Sequence, residues 1–397
     1  MSEKLRIAII GCGSFSRDFI PLFKHHPNVA QVAVCDTFRE RADEYAREFG
    51  VETVPRFEDV LQSAEWNAVA LFTERHTHGP LVLAALRAGK HVYSAVPMAS
   101  EPDECAEIVE TVKRTGLTYY MGETCYYWPC AMYCREQYDK GAFGKFVFGE
   151  AQYYHDIAHF HYKVDSHRGV PPFFYPTHST SMLISSVRSH VTRVVAFGYE
   201  DTEQDGIFEV GKNLWDNTMS NGYALMKLAN GGTARINECR RIGVVAPSSY
   251  ITAVYGTKGA YEYSNAQHLF VRQEPEQTVL TDVSGYVNTC AMTEHSHDPD
   301  FKQQVAAGAW KWAERAPVQM KEMERLPEEF SGLPNGHNAS HQLLVDDFCR
   351  AAYAGVTPKV NNAWDAARYT IPGLLAHQSA LRDGEPVNVP DLGDAPQ

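Results

Sequence analysis

The chain has 397 residues, of which 44% are hydrophobic and 21% charged, and its formal net charge at pH 7 is -13. This length accommodates two domains with separate cores. The acidic balance argues against nucleic-acid binding, which favours a basic surface. Apolar runs stay shorter than the roughly 20 residues needed to cross a bilayer, and the N-terminus lacks a signal-peptide core. The nine cysteines are scattered and match no zinc spacing, so we expect reduced thiols, no metal, no membrane partner and a cytoplasmic protein.

The first 125 residues alternate short apolar strands with helices. Residues 5–10 form a near-continuous apolar run, which is typical of a strand buried on both faces of a parallel sheet. Further strands are predicted at 29–35, 68–72, 91–94 and 118–121, and helices at 38–49, 80–88 and 104–115. This alternation indicates βαβ units and a doubly wound parallel sheet, so residues 1–125 are predicted to form an α/β Rossmann domain.

The pattern changes after residue 125. Asn230-Gly231-Gly232 predicts a hairpin turn between two of the longer strands that follow. Those strands are predicted at 143–154, 193–199, 217–228, 232–238 and 249–255, and helices at 179–187, 341–353 and 364–382. We therefore predict that residues 126–397 form an α+β domain for substrate binding and oligomerisation, with a large open, mainly antiparallel sheet. Its C-terminal helices are expected to pack back towards the first domain.

The loop after the first strand has a dinucleotide-binding pattern. Gly11 permits a tight turn, Gly13 lets a pyrophosphate approach the backbone, and Ser16 replaces the final glycine of the usual pattern. Asp36 ends the next strand, where its carboxylate would bond to the adenosine ribose hydroxyls and repel a 2′-phosphate. The alternative is a Rossmann-like domain without a cofactor. The sequence favours NAD over NADP, with Gly11, Gly13, Ser14, Phe15, Ser16 and Asp36 as its binding residues.

A polar segment, Thr73-Glu74-Arg75-His76-Thr77-His78, follows the third predicted strand. The carboxyl edge of a parallel sheet is where ligands bind, so Thr73, His76 and His78 are candidates for contact with the ribose or nicotinamide. Alternatively, Thr73 and His78 cap the helix that begins near Pro80.

A second candidate site begins at Tyr175-Pro176-Thr177-His178, which opens a predicted helix. A helix N-terminus lowers the pKa of a nearby histidine and keeps its imidazole able to accept a proton. The alternative is a capping or core histidine. Upstream, residues 155–168 are rich in histidine, and His155 and His159 have helical spacing that would suit a metal. No carboxylate or cysteine at suggestive spacing supports a metal, which leaves an anion- or sugar-binding loop or a solvated loop. The candidate ligands of such a binding loop are His159, His161, Lys163 and Arg168.

Together with Gly89-Lys90-His91-Val92 and Gly256-Thr257-Lys258-Gly259, these motifs make nearly the whole chain resemble the Gfo/Idh/MocA oxidoreductases. The most similar branch is that of the NAD-dependent glycosidases of the α-N-acetylgalactosaminidase type. The stretches at 122–126, 175–178 and 371–381 carry this resemblance. The family's dehydrogenases have Glu-Lys-Pro where this chain has Ala95-Val96-Pro97, and neither Ala95 nor Val96 can move a proton. The glycosidases also lack the lysine, but they tend to keep an acidic residue where Ala95 stands.

The resemblance implies a redox-neutral hydrolysis. C3 of a glycoside is oxidised by NAD⁺, a side-chain base removes the acidified C2 proton, the C1 substituent leaves, water adds, and the hydride returns to C3. His178 and Tyr175 would activate the hydroxyl and transfer protons, with Tyr126 as a further candidate, and the identity of the C2 base among these three is left open. The resemblance also implies that Pro97 and Glu123 lie near the nicotinamide, and Tyr127 is a candidate for substrate binding.

Three functions are compatible with these residues. The first is the NAD-dependent glycoside hydrolase, and the second is a sugar or polyol dehydrogenase that uses His178 in place of the lysine. The third is a cofactor-binding regulator, against which the polar, aromatic-rich loop at 153–178 argues. The glycoside would be anionic, such as a uronide or sulfoquinovoside held by cationic side chains, or else an N-acetylhexosaminide, as the nearest resemblance suggests. Family precedent and an exposed sheet face predict a homodimer or homotetramer.

Overall fold

The computed structural model describes residues 3–157, 168–242, 249–263, 268–275, 277–287 and 316–396. Its internal contacts divide the chain into two compact units. The first unit comprises Met1–Thr124, Glu322–Ile371 and Leu392–Gln397, and the second comprises Cys125–Lys321 and Pro372–Asp391. The segment 322–371, placed by the sequence within the second domain, is therefore grouped with the first unit. None of the helices in the described ranges has the length and apolar character needed to cross a membrane.

The N-terminal elements alternate between strand and helix. In chain order they are β1 Leu5–Ile10, α1 Ile20–His25, β2 Val29–Cys35, α2 Arg39–Phe49, β3 Glu52–Thr53, α3 Phe57–Gln62, β4 Ala68–Leu71, α4 His78–Arg87, β5 His91–Ser94, α5 Pro102–Thr115 and β6 Tyr119–Met121.

The remaining elements contain most of the longer strands and the C-terminal helices. They are α6 Pro129–Asp139, β7 Phe146–Tyr154, α7 Thr177–Ser186, β8 Val191–Glu200, β9 Met219–Leu228, β10 Thr233–Cys239, β11 Ser249–Gly256, β12 Gly259–Tyr263, β13 His268–Gln273, β14 Thr278–Asp282, α8 Ser284–Val287, α9 Met320–Met323, α10 Gly336–Ala339, α11 His341–Ala354, α12 Ala363–Ala380 and β15 Val387–Asn388.

A parallel sheet forms the centre of the first unit. Its strand order is β3-β2-β1-β4-β5-β6, and every neighbouring pair is parallel. All four residues of β4 are buried, as expected for strands covered by helices on both faces. The predicted doubly wound Rossmann domain is therefore confirmed, and the carboxyl ends of β1, β2 and β4 define the edge where ligands bind in such sheets.

The C-terminal segment of the first unit is attached through α11. Phe348 packs against Phe23 of α1 with 6.2 Å between the ring centroids. Asp346, which is fully buried, accepts hydrogen bonds from His26 Nε2 at 3.2 Å and from Arg350 Nε at 2.7 Å. A buried carboxylate is stable only when charge-assisted hydrogen bonds satisfy its oxygens. These contacts explain why a segment distant in sequence belongs to the N-terminal fold.

Lys90 of the Gly-Lys-His-Val motif has a structural role in the first unit. Its Nζ donates hydrogen bonds to the carbonyl oxygens of Ser63, at 2.6 Å, and Trp66, at 2.7 Å. These bonds hold the chain that leaves α3 against the start of β5. Burial lowers the pKa of Lys90, and the two carbonyl acceptors offset part of the cost of removing its charge from water.

The second unit is built on a large mixed sheet. In the described residues its strand order is β14-β13-β12-β11-β7-β10-β9-β8-β15. The pair β7–β10 is parallel and the other pairs are antiparallel, so the predicted mainly antiparallel sheet is confirmed. The turn at Asn230-Gly231-Gly232 joins β9 and β10, with the Leu228 amide donating to the Gly232 carbonyl at 2.9 Å.

One face of this sheet exposes large apolar side chains. Phe197 on β8 and Leu225 on β9 are each 53% exposed, and Tyr223 lies opposite Phe197 in the register of these strands. Tyr199 continues the same row. We call Phe197, Tyr199, Tyr223 and Leu225 the open-face patch. Contiguous apolar surface of this kind is typical of interfaces rather than of free protein surface.

Candidate functional site

The glycine loop of the first unit has the backbone geometry of a nucleotide-binding turn. Gly11 has a φ of +95°, and a Cβ atom there would lie 2.6 Å from the carbonyl oxygen of Phe72. A Cβ on Gly13 would meet no atom within 4 Å, so the loop surface is open beside this residue. Ser16 is buried, and its hydroxyl donates to the Gly13 carbonyl at 2.8 Å. Gly11 and Ser16 therefore fix the shape of the loop, while Gly13 leaves room for a pyrophosphate.

The two predicted contact residues between Gly13 and Ser16 differ in environment. Ser14 is exposed. The Phe15 ring packs instead into the domain, 5.0 Å from the Phe19 ring and 5.7 Å from the His341 ring. Phe15 is half-buried, and its contact with the cofactor stays a prediction.

Asp36 connects the loop to the end of β2. Its Oδ2 accepts a hydrogen bond from the Cys12 amide at 2.7 Å, and its Oδ1 accepts one from the Phe38 amide at 2.8 Å. Because each carboxylate oxygen has a second lone pair, both can still accept bonds from ribose hydroxyls. The residues present thus fit an NAD cofactor, and Asp36 also orders the loop that would contact it.

The polar segment after β4 is held by backbone contacts. His78 is buried, with Nδ1 2.7 Å from the Pro97 carbonyl oxygen and Nε2 3.0 Å from that of Thr73. Burial lowers the pKa of His78. The helix α4 begins at His78 with Thr77 as its N-cap and no side-chain capping bond, so neither Thr73 nor His78 caps it as a side chain. His76 is exposed.

The segment that replaces Glu-Lys-Pro contains no group that can move a proton. Ala95 and Val96 are buried, and the Ala95 amide donates to the Leu71 carbonyl at 2.9 Å, which continues the β4–β5 ladder. Glu123, after β6, is fully buried. Burial, with the nearby Glu123 carboxylate, raises the pKa of Tyr93 well above its usual value.

In the second unit, the side chains of two tyrosines and two histidines lie in contact, where β7 ends and α7 begins. The Tyr153 hydroxyl and His155 Nδ1 are hydrogen-bonded at 2.5 Å. The Tyr153 ring lies 4.9 Å from the His178 ring and 5.5 Å from the Tyr175 ring, and Tyr175 and His178 are 4.8 Å apart. We call Tyr153, His155, Tyr175 and His178 the tyrosine–histidine cluster. Tyr175 and His178, paired in the prediction, are thus in contact.

The structure adds Tyr153 and His155 to the predicted pair. They are alternate residues of an extended segment, so their side chains share one face of the sheet. The His155 amide donates to the Cys239 carbonyl at 2.9 Å, which extends the β7–β10 pairing by one residue and fixes His155 beside the end of β10. The available sequence signal was the period-2 spacing of Tyr153 and His155 at the end of a predicted strand.

Tyr126, the further catalytic candidate, packs against Arg135. The Arg135 guanidinium carbon lies 3.9 Å from the centroid of the Tyr126 ring, and Arg135 Nη1 donates to Ser185 Oγ in the last turn of α7 at 3.2 Å. The neighbouring residue Cys125 has its Sγ within 4.8 Å of a His178 ring nitrogen. The catalytic role of Tyr126 stays a prediction.

The predicted substrate-binding residues are only partly described. His159, His161 and Lys163 lie outside the described residues. Arg168 donates from Nη1 to the Gly206 carbonyl at 3.0 Å, so it is tied to the loop between β8 and β9. The Tyr127 side chain is buried, and its carbonyl accepts a bond from Gln319 Nε2 at 3.0 Å.

Comparison with known proteins assigns the N-terminal fold and its cofactor. Residues 5–123 match the GFO_IDH_MocA family, described as an oxidoreductase family with an NAD-binding Rossmann fold. The resemblance stated from the sequence and the expectation of NAD are both confirmed.

Two relatives that align with nearly the whole chain share one name. A glycosyl hydrolase family 109 protein of Saccharopolyspora erythraea is 24% identical, with 98% of this chain and 83% of the relative covered. A protein of the same name from Streptomyces filamentosus is 25% identical, covering 98% and 77%. Among solved structures, a levoglucosan dehydrogenase in complex with NADH and levoglucosan aligns with a TM-score of 0.71 at 17% identity, over 98% of this chain and all of that one. This last likeness concerns the fold.

Proposed function

Residues 5–123 match the Gfo/Idh/MocA oxidoreductase family with its NAD-binding Rossmann fold, and from this premise we propose that the protein is an NAD-dependent glycoside hydrolase. The name shared by the relatives that span 98% of the chain supports this choice. The substrate we propose is a hexoside whose C1 substituent is released without net oxidation.

Two observations carry the proposal: the tyrosine–histidine cluster of the second unit, and the absence of the usual lysine at Ala95-Val96 in the first unit. A dehydrogenase needs one proton acceptor for the hydroxyl that it oxidises. Hydrolysis through oxidation and elimination needs proton transfer at the C3 hydroxyl, at C2 and at the C1 oxygen. Tyr153, His155, Tyr175 and His178 supply several groups suited to this work, whereas Ala95 and Val96 supply none.

Bound NAD⁺ supplies the hydride acceptor at C3 and the return of that hydride at the end of the cycle. In the proposed sequence His178, in contact with Tyr175, accepts the proton of the C3 hydroxyl and later gives it back. Tyr153 passes its phenolic proton to His155, and the phenolate then takes the C2 proton. The His155 imidazolium protonates the C1 oxygen as the C1–O bond breaks. When water adds to C1, His155 takes a proton from the water and Tyr153 returns one to C2. His155 then passes its proton back to the Tyr153 phenolate, which restores the starting protonation states.

The proposal also specifies that the substrate carries an acid group. Arg168, with His159, His161 and Lys163 of the same segment, is proposed to hold an anionic hexoside such as a uronide or sulfoquinovoside through charge-assisted hydrogen bonds. An N-acetylhexosaminide is the neutral alternative. Arg168→Ala is expected to raise KM for the anionic substrate at least tenfold more than for its neutral analogue. An equal effect on both substrates would favour the neutral alternative.

The test follows aglycone and NADH together. The protein is incubated with NAD⁺ and a panel of aryl glycosides in heavy water. The proposal expects catalytic aglycone release, no stoichiometric NADH, and deuterium at C2 of the released sugar. Tyr153→Phe is expected to lower kcat by at least a hundredfold, because it removes the C2 base. Tyr154→Phe, on the opposite face of the same strand, is the matched control.

The alternative is an NAD-dependent sugar dehydrogenase in which His178 replaces the lysine as proton acceptor. Its expected signature is one NADH for each sugar oxidised, no aglycone and no deuterium at C2. That outcome would refute the hydrolase proposal but would leave the conclusion that the protein binds NAD unchanged.

A further inference from the structure

Arg240, just after β10, lies against the cluster without being part of it. The side chain is buried, and its guanidinium carbon lies 4.9 Å from the centroid of the Tyr153 ring. Its nitrogens donate to Glu238 Oε2, to the Pro172 carbonyl and to the Cys239 carbonyl, each at 3.2 Å. These three acceptors fix the guanidinium over one face of the tyrosine.

Glu238 orients the Arg240 side chain by accepting one of its hydrogen bonds. It is fully buried and lies beside Tyr153 in the parallel register of β7 and β10. One of its oxygens accepts a hydrogen bond from Ser179 Oγ, and the other accepts the bond from Arg240. Glu238 therefore links the first turn of α7 to the end of β10. Burying such a pair costs desolvation energy that its mutual attraction only partly returns, so a purely stabilising role explains it poorly.

The electrostatic effect on Tyr153 follows from these positions. A guanidinium above a tyrosine ring is attracted to the π face, and a positive charge within about 4–6 Å favours the ionised form of an acid. The Glu238 carboxylate opposes this effect, so the net effect is smaller than that of an isolated arginine. Among the described residues, the titratable and charged groups that face Tyr153 include His155 from the same extended segment and Tyr175 and His178 from the start of α7. They also include Arg240, just after β10, with its partner Glu238 on β10.

We propose that Arg240, aimed by Glu238, is a positioning residue that stabilises the phenolate of Tyr153 while this side chain exchanges a proton at C2 of the sugar. The inference rests on the proposed function for the role of Tyr153, but the electrostatic coupling between Arg240 and Tyr153 is measurable without turnover. Arg240 touches the base and not the reacting atoms.

The experiment titrates Tyr153 in the NAD-loaded protein by NMR, with ¹³C-labelled tyrosine and Tyr153→Phe to identify its signal. In the double variant Arg240→Met/Glu238→Gln, which leaves no buried charge unpaired, the midpoint of Tyr153 ionisation is expected to rise by about one pH unit. Arg241→Met is the matched control, because Arg241 is paired with Asp201 at 2.7 Å, and it should leave the midpoint unchanged. A folded double variant with an unshifted midpoint overturns the proposal.

A second variant covers the case in which the double variant does not fold. Arg240→Lys keeps the positive charge but loses the planar hydrogen-bonding geometry of the guanidinium. The midpoint of Tyr153 ionisation should therefore stay within a few tenths of a pH unit of that in the unsubstituted protein. A rise as large as one pH unit would overturn the electrostatic role. In turnover assays, the double variant is expected to move the pH dependence of kcat upward by about one unit, lowering kcat near neutrality about tenfold at similar KM. A shifted NMR midpoint without aglycone release would refute the hydrolase and leave the coupling intact. Aglycone release with an unshifted midpoint would refute the coupling alone.

Discussion

Asp36 gives the sharpest test of the nucleotide site, because one carboxylate both orders the glycine loop and selects the cofactor. In Asp36→Asn, one oxygen becomes an NH₂ group. The amide can still accept the hydrogen bond from one backbone amide, but its NH₂ then faces the other donor, that of Cys12 at 2.7 Å or of Phe38 at 2.8 Å. The substitution therefore removes one bond and weakens the second while leaving the shape of the side chain nearly unchanged.

The expected magnitudes follow from these two bonds. A hydrogen bond to a charged group contributes about 1.5–3 kcal/mol, so the free energy of unfolding should fall by about 2 kcal/mol. A similar loss in cofactor binding corresponds to a Kd for NAD that is roughly 10- to 100-fold higher. Loss of the negative charge also removes its repulsion of a 2′-phosphate, worth about 1–4 kcal/mol at 4–5 Å separation. The preference for NAD over NADP should therefore shrink at least about fivefold.

Calorimetric titration of NAD and NADP into the apoprotein measures the affinities, and urea denaturation measures the stability. Asp43→Asn is the control, because Asp43 is an exposed residue of α2 paired with Arg39, and it should change none of the three quantities by more than a few tenths of a kcal/mol. Unchanged affinity and selectivity in Asp36→Asn would refute the role assigned to this carboxylate. A loss of stability with unchanged selectivity would restrict Asp36 to shaping the loop.

Two further predictions concern stability and assembly. Burial lowers the pKa of His268 to about 4 and of His341 to about 3, so the unfolded chain, with a histidine pKa near ~6.5, binds more protons than the folded protein between those values. Acidification should therefore lower the free energy of unfolding, by about 2 kcal/mol for each histidine at pH ~5 in urea titrations; a constant value would contradict this. We also predict that the open-face patch joins copies of the chain, so Leu225→Glu should lower the mass in sedimentation whereas Val356→Glu, at an exposed site of the first unit, should not. A monomeric parent protein would refute this prediction.

The fold was predictable wherever local patterns determine it. The strands from β1 to β6, apart from the two-residue β3, were located because buried parallel strands are short, apolar and separated by helices. The parallel pairing of β7 with β10 was not predictable, because other elements lie between the two strands in the chain and local periodicity does not encode which strands pair. The grouping of α11 with the first unit was unpredictable for the same reason, because Asp346 and Phe348 make their contacts with residues near the N-terminus.

The candidate site was predictable to a lesser degree. Gly11 and Asp36 follow from a motif in which spacing and chemistry agree. Tyr153 was missed because its proposed role depends on His178 and Arg240, two residues from other segments that only the tertiary structure brings to it, as well as on His155 two residues along the chain. The role of Tyr126 stays a prediction, because a motif gives a residue's position along the chain but not its surroundings, and here the ring packs under Arg135.

The placement of Tyr153 on β7 bears on how this protein can change over time. β7 is an inner strand, bonded to β11 on one side and β10 on the other, so it belongs to the part of the unit where local opening is rarest. The described segment from Arg168 to Pro176, before α7, contains no strand and only a short turn of helix, and such connecting segments tolerate substitution and insertion far better than inner strands do. If the proposed function holds, the range of accepted sugars can change through substitutions in this segment, while Tyr153 on the strand and His155 just after it stay the same.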